Sequence, residues 1–139
     1  MDFHKILVPV SGTEADEEAI KLACRLAKKK AKIRAVYVIT IKRTLPLNAE
    51  IKSEIRRAEE ILDNVETMAE EQDYEIETEL LQAREAGLTI IDEAVEQEAD
   101  LILIGVKYKT HFGQFSLGST VPYVLKNAPC HVILYHIPS

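Results

Sequence analysis

The sequence is poor in cysteine: among its 139 residues the thiols are Cys24 and Cys130. They form no Cys-x-x-Cys pair and have no clustered histidines, which excludes a disulfide framework and a zinc site. Both read as small hydrophobes in a reducing compartment. No apolar run approaches the roughly 20 residues needed to cross a bilayer. The start MDFHKILVPV lacks the apolar stretch and cleavage site of a signal peptide. Positive charge is also in deficit, with 17 basic residues against 23 acidic and a formal net charge of -6. Such a surface repels nucleic acid and anionic membrane at long range. Together these absences predict a cytoplasmic chain with no nucleic-acid partner and no direct membrane insertion. The dinucleotide fingerprint GxGxxG and the P-loop GxxxxGK[ST] are missing as well.

What remains is a chain of 47% hydrophobic and 29% charged content, enough for one compact domain over residues 1–139. Lys5 to Val10 is a short apolar strand, and Ala15, Ala19, Ala23, Leu26 and Ala27 recur at helical spacing after it. Ile33 to Ile39 is a second β-branched strand. A loop at Leu45-Pro46-Leu47 precedes a long helix marked by Ile51, Ile55, Ala58, Leu62, Val65 and Ala69. Tyr74 to Leu80 alternates with period two, as expected of a strand with one wet face at a sheet edge. A helix over Leu88–Ala99, a strand over Leu101–Ile104, a helix over Ser119–Asn127 and a strand over His131–Ile137 complete a strict βαβαβαβαβ order.

Such alternation predicts an α/β fold: a five-stranded parallel sheet of order 3-2-1-4-5 with helices on both faces. Ligands of open sheets of this kind sit where the winding reverses, at the carboxyl ends of the first and fourth strands. Those ends are Val8-Pro9-Val10-Ser11-Gly12 and Ile104-Gly105-Val106. The stretch GVKYKTHFGQFSLGST then leads from the fourth strand into a helix. Free N–H groups and the positive end of the helix dipole make that junction a seat for phosphate. Gly105 lets a ligand approach the backbone, Gly118 lets the loop turn, and Ser119 and Thr120 add hydroxyls. Each feature also has a plainer reading. Ser119 is a helix cap, Ser11 to Glu14 fits a capping box, and Lys107 and Lys109 are solvated loop lysines. Glu14, Asp16, Glu17 and Glu18 read as a solvated first turn favoured by the dipole. His111 has no metal or nucleophile partner.

On KILVPVSGT, on G105-x2-Y108-x9-G118-S119 and on VPYVLKNAPCHVILY, the chain resembles the universal stress protein family, whose motif is Gly-x2-Gly-x9-Gly-Ser/Thr. The resemblance implies the adenine nucleotide alpha hydrolase-like fold. It implies a site for ATP or another adenine nucleotide, with magnesium, built from Pro9, Val10, Ser11, Val38, Gly105, Gly118, Ser119 and Thr120; from its place in the loop, Lys107 is a further candidate, to neutralise phosphate. It also implies a regulatory homodimer joined through the last strand, Val132 to Ile137, with no catalysis required. Two departures bear on the ligand: Ser11 stands where the family has aspartate, and Tyr108 where it has the second motif glycine. RTLPLNAEI, AREAG and FGQFSLGSTVPYVLKNAPC are similar to domains appended to amino-acid permease-type transporters, implying a transporter partner. The alternative reading keeps the fold as a dimerisation or docking module with a vestigial pocket. An enzyme reading, an ATP pyrophosphatase, fails at Thr13-Glu14-Ala15-Asp16, where carboxylates stand in place of a phosphate loop.

Overall fold

The computed structural model describes residues 2–107, 109–111, 114–116 and 118–138, so Tyr108, Phe112 and Gly113 lie outside the described residues. The order is β1 (Phe3–Pro9), α1 (Glu14–Leu26), β2 (Ala27–Thr40), α2 (Lys52–Glu70), β3 (Glu77–Ala83), α3 (Ala86–Glu96), β4 (Leu101–Val106), β5 (Lys109–His111), β6 (Gln114–Ser116), α4 (Thr120–Asn127) and β7 (His131–His136). Five strands form one sheet of order β3-β2-β1-β4-β7, the predicted doubly wound order. All four of its pairings are parallel. The strict alternation is broken once: β5 and β6 pair antiparallel within the connection from β4 to α4.

The central strands are apolar without alternation because both faces are covered. On one face Ile6, Val8, Ala35, Leu101 and Leu103 pack with Ala19, Ile20 and Ala23 of α1 and Leu62 and Val65 of α2. On the other, Leu7, Val36, Ile102 and Ile104 pack with Ile90, Ile91 and Ala94 of α3 and Val121 and Val124 of α4. Each fully buried aliphatic side chain contributes about 1.5–3 kcal/mol relative to exposure. Cys24 is buried in the first cluster and Cys130 packs against the second, both as free thiols.

The largest boundary differences from expectation have local reasons. The second strand begins at Ala27, before Ile33, because Phe3 pairs with Ala27 while Lys5 pairs with Lys32. The extra residues form a bulge at which Lys30 takes φ 74°. Tyr74 terminates α2, its N–H bonding the Ala69 carbonyl at 3.0 Å after Asp73 turns to φ 62°, so the third strand starts later, at Glu77. The third helix starts at Ala86 and ends at Glu96. Glu98 at φ 54° then lets Ala99 N–H bond the Ala94 carbonyl at 2.9 Å, a left-handed helix stop. As predicted, β3 is an outer strand of the sheet.

Candidate functional site

Parallel strands that end at different heights leave a crevice, and here β1 ends first. The last rung between β1 and β2 is Val10 N–H to the Val36 carbonyl, 2.9 Å. Backbone groups along a strand alternate sides, so the N–H and C=O of Val38 point the same way as those of Val36, beyond that rung. A cleft of about 310 Å³ opens there, within the range of small-molecule sites. Its apolar walls are Val36 and Val38 of β2, Ala86 and Ile90 of α3, and Val106 and Val121. Its polar groups are Ser11, Thr13, Thr120 and Lys107.

Among the predicted residues, Pro9, Val10, Ser11, Val38, Gly105, Lys107 and Thr120 are brought together in this cleft. Ser119 is not; it lines a neighbouring cavity with Thr40, Arg84 and Tyr123. Gly118 lines neither cavity. It turns the chain at φ 71°, a conformation that costs glycine nothing, with open space where a Cβ would sit. Ser119 stands at the N-cap position of α4, yet its side chain makes no cap bond, so the cap reading is not realised. Pro122 lacks an N–H, which leaves Thr120 and Val121 as the first-turn donors at the cleft.

The loop after β1 departs most from expectation. The N-cap of α1 is Thr13, whose hydroxyl accepts from Ala15 N–H at 3.3 Å, so Ser11 and Glu14 form no capping box. Asp16, expected in a solvated turn, is 5% exposed. Its carboxylate accepts from Ser11 N–H at 3.0 and 3.2 Å and from Gly12 N–H at 2.6 Å, clasping the loop that forms the cleft rim. Burial lifts this carboxyl above its ordinary range, while the N–H groups of Ser11, Gly12 and Thr13 oppose the rise. Glu14 is exposed and holds Lys107 Nζ at 3.2 Å, an ion pair bridging the β1 and β4 loops beside the cleft.

Gly105 also has a role other than the expected one. A Cβ there would lie 2.2 Å from the Ala15 carbonyl oxygen, so the residue is small because α1 packs on β4, and ligand approach is not what requires glycine. The residues missed in the sequence are Thr13, Val36, Ala86, Ile90 and Val121. Val36 was accessible from Val38 by the two-residue strand period. Among the described residues, no group of three or more His, Cys, Asp or Glu side chains assembles a metal site. Among them, too, no helix is long and apolar enough to cross a membrane.

A family model described as the universal stress protein family matches residues 2–136. The chain is 36% identical over 143 aligned residues to a curated universal stress protein of Methanocaldococcus jannaschii, covering 98% of this chain and 84% of that protein. A universal stress protein from Archaeoglobus fulgidus, solved in complex with dAMP, superposes with TM-score 0.76 at 22% identity, covering 96% of this chain and 98% of that one. A family member from Arabidopsis thaliana, solved with AMP bound, gives TM-score 0.68 at 14% identity, covering 95% and 90%.

Proposed function

The chain belongs to the universal stress protein family, and from that premise we propose that it binds an adenine nucleotide in the cleft between β1, β2 and α4. The observation that carries this reading is the chemistry of the cleft. An apolar wall of Val36, Val38 and Ile90 lies between strand backbone on one side and the N-terminus of α4 on the other. That wall takes the purine, and the Val38 N–H and C=O meet the ring nitrogen and exocyclic amine of its Watson–Crick edge. The Ser11 hydroxyl serves the ribose in place of a carboxylate. The N–H groups of Thr120 and Val121, the Thr120 hydroxyl and the dipole of α4 receive phosphate. Lys107 joins them when it leaves Glu14. ATP with magnesium extends the same site outward along the Gly118 turn. Among the described residues lining the cleft none is arranged as a nucleophile with its base, and the role we propose is regulatory.

In that role the chain acts as a homodimer. β7 is an outer strand with β4 as its one sheet neighbour, and Val132, Ile133, Leu134 and Tyr135 are only half-buried. Pairing with a second copy satisfies such an edge. A dimer mass in size-exclusion chromatography with light scattering is the expected result. A transporter is the partner that the shared segments favour, with the domain acting from the cytoplasm.

Nucleotide binding is tested by melting the protein with AMP, ADP and ATP. A ligand at about a hundred times its Kd adds ~2.7 kcal/mol to the unfolding free energy. Thr120→Val, which keeps shape and loses the hydroxyl, should weaken binding about tenfold by calorimetry. A protein indifferent to all three nucleotides at saturation points to the second reading, a docking module with a vestigial pocket. That reading is favoured by Ser11 in place of a charged acceptor and by the Glu14–Lys107 pair.

A further inference from the structure

Below the cleft, where α3 crosses β2 and β3, an acidic group stands where the helix should present an apolar one. Glu93 is 5% exposed and follows Ile90 and Ile91 along the core-facing side of α3. Its Oε1 is buried and has no hydrogen-bond partner. The cation within reach is Arg34 of β2, 3.9 Å away, and Arg34 is already engaged: its Nη1 donates to Glu79 Oε2 at 2.8 Å and its Nη2 to Glu77. One guanidinium therefore faces three carboxylates. Glu79 and Glu93 converge on the same guanidinium nitrogen, Nη1, at 2.8 and 3.9 Å, but two ionised carboxylates have only lone pairs to offer each other.

We propose that Glu93 and Glu79 form a proton-binding pair that sets how firmly α3 is held against the sheet. With one proton between them the contact is an O–H···O⁻ bond, shorter and stronger than a neutral one, and Arg34 neutralises the charge that remains. Without it, two carboxylates repel across a partly buried contact and the buried Oε1 stays unsatisfied. Burial, then the hydrogen bond and charge of Glu79, push the Glu93 carboxyl from 4.5 up to about 7, with Arg34 pulling the other way.

The groups facing the pair from each packed element are few. β2 contributes Arg34, and Lys32 lines an adjacent cavity with Lys5 of β1. β3 contributes Glu77 and Glu79, and α3 adds Glu96. The charged side chain of α4, Lys126, is exposed. The pair reaches the cleft through α3, since Ile90 is one turn before Glu93, and through β2, since Val36 lies two residues beyond Arg34 on the same face. On the nucleotide reading above, proton loss also slackens that wall of the binding site.

A carboxyl whose pKa is raised by folding binds its proton more tightly in the native state, so its stabilisation is complete below about 4.5 and lost as pH rises to about 7. The test uses ligand-free protein, so it stands whether or not a nucleotide binds. Urea unfolding of wild type and Glu93→Gln is followed from pH 5 to 8. Relative to the variant, the wild-type folding constant should fall by up to about tenfold per pH unit to pH 7 and level off above it. Carbon-13 NMR of the glutamate carboxyls in the wild type should show one signal titrating near neutrality, moved down by Glu79→Gln. Parallel pH profiles for wild type and Glu93→Gln, or no glutamate titrating above pH 6, would overturn the proposal. Hydrogen exchange of α3 amides, corrected for base catalysis, should quicken through the same window in wild type and not in Glu93→Gln.

Discussion

Gly105→Ala should be among the most damaging single substitutions in this chain, although it adds one methyl group. The new Cβ would stand 2.2 Å from the Ala15 carbonyl oxygen, 2.8 Å from its carbonyl carbon and 3.1 Å from its Cβ. Two of these are backbone atoms in the first turn of α1 and have no rotamer to escape into, so the helix must retreat from β4. Ala15, Ala19 and Ile20 are fully buried along the same helix, and a retreat opens gaps beneath them. Overpacking that moves backbone costs about 3 kcal/mol, roughly 10 °C in melting temperature for a chain of this size. Gly118→Ala is the internal comparison. Its position has φ 71° but nothing within 4 Å, so only the backbone term of about 1 kcal/mol applies. Urea unfolding of both variants separates contact from conformation. Equal losses would mean that α1 shifts freely and that the close approach is not what keeps residue 105 glycine.

That contrast also shows where one-dimensional reading stops. β1 and β4 were legible because a strand covered on both faces is an apolar run, and the helices because their buried positions recur every three or four residues. The strand order followed from alternation and the right-handed crossover rule. The early start of β2 was not legible: the β-branched run begins only at Ile33, and pairing with Phe3 and Lys5 draws the residues before it into the sheet. At the cleft, positions beside strand ends were found from the winding rule alone, as with Val10 and Ser11. The cause of Gly105 was not, because it lies in Ala15, whose proximity is a fact of packing. Glu79 shows the same limit. Its place in an alternating strand marked it as a wet-face residue, yet it is tied to Arg34 from the neighbouring strand, on which Glu93 from the helix above also converges.

Asp16 is the residue for which sequence convention and structure disagree most, and removing its carboxylate should affect both stability and binding. Acidic residues in a first helical turn are ordinarily solvated and contribute a few tenths of a kcal/mol through the dipole. Here the side chain turns inward and accepts from the Ser11 and Gly12 N–H groups at 2.6 to 3.2 Å, in a site with 5% exposure. Hydrogen bonds to a charged group are worth more than neutral ones, and a donor left buried without an acceptor adds its desolvation cost. Asp16→Ala should therefore cost about 3 kcal/mol, against less than about 0.5 kcal/mol for the exposed Glu14→Ala. Asp16→Asn should fall between, since the amide keeps one acceptor oxygen and loses the charge. The clasped loop carries Val10, Ser11 and Thr13 into the cleft, so the effect extends to ligand. In the folded Asp16→Asn protein, AMP affinity should drop several-fold while Glu14→Ala retains it or gains through the release of Lys107. Unfolding curves and AMP titrations on the same samples measure both. If Asp16→Ala unfolded at the wild-type urea concentration, the loop would be held by its own backbone and Asp16 would have no part in shaping the site.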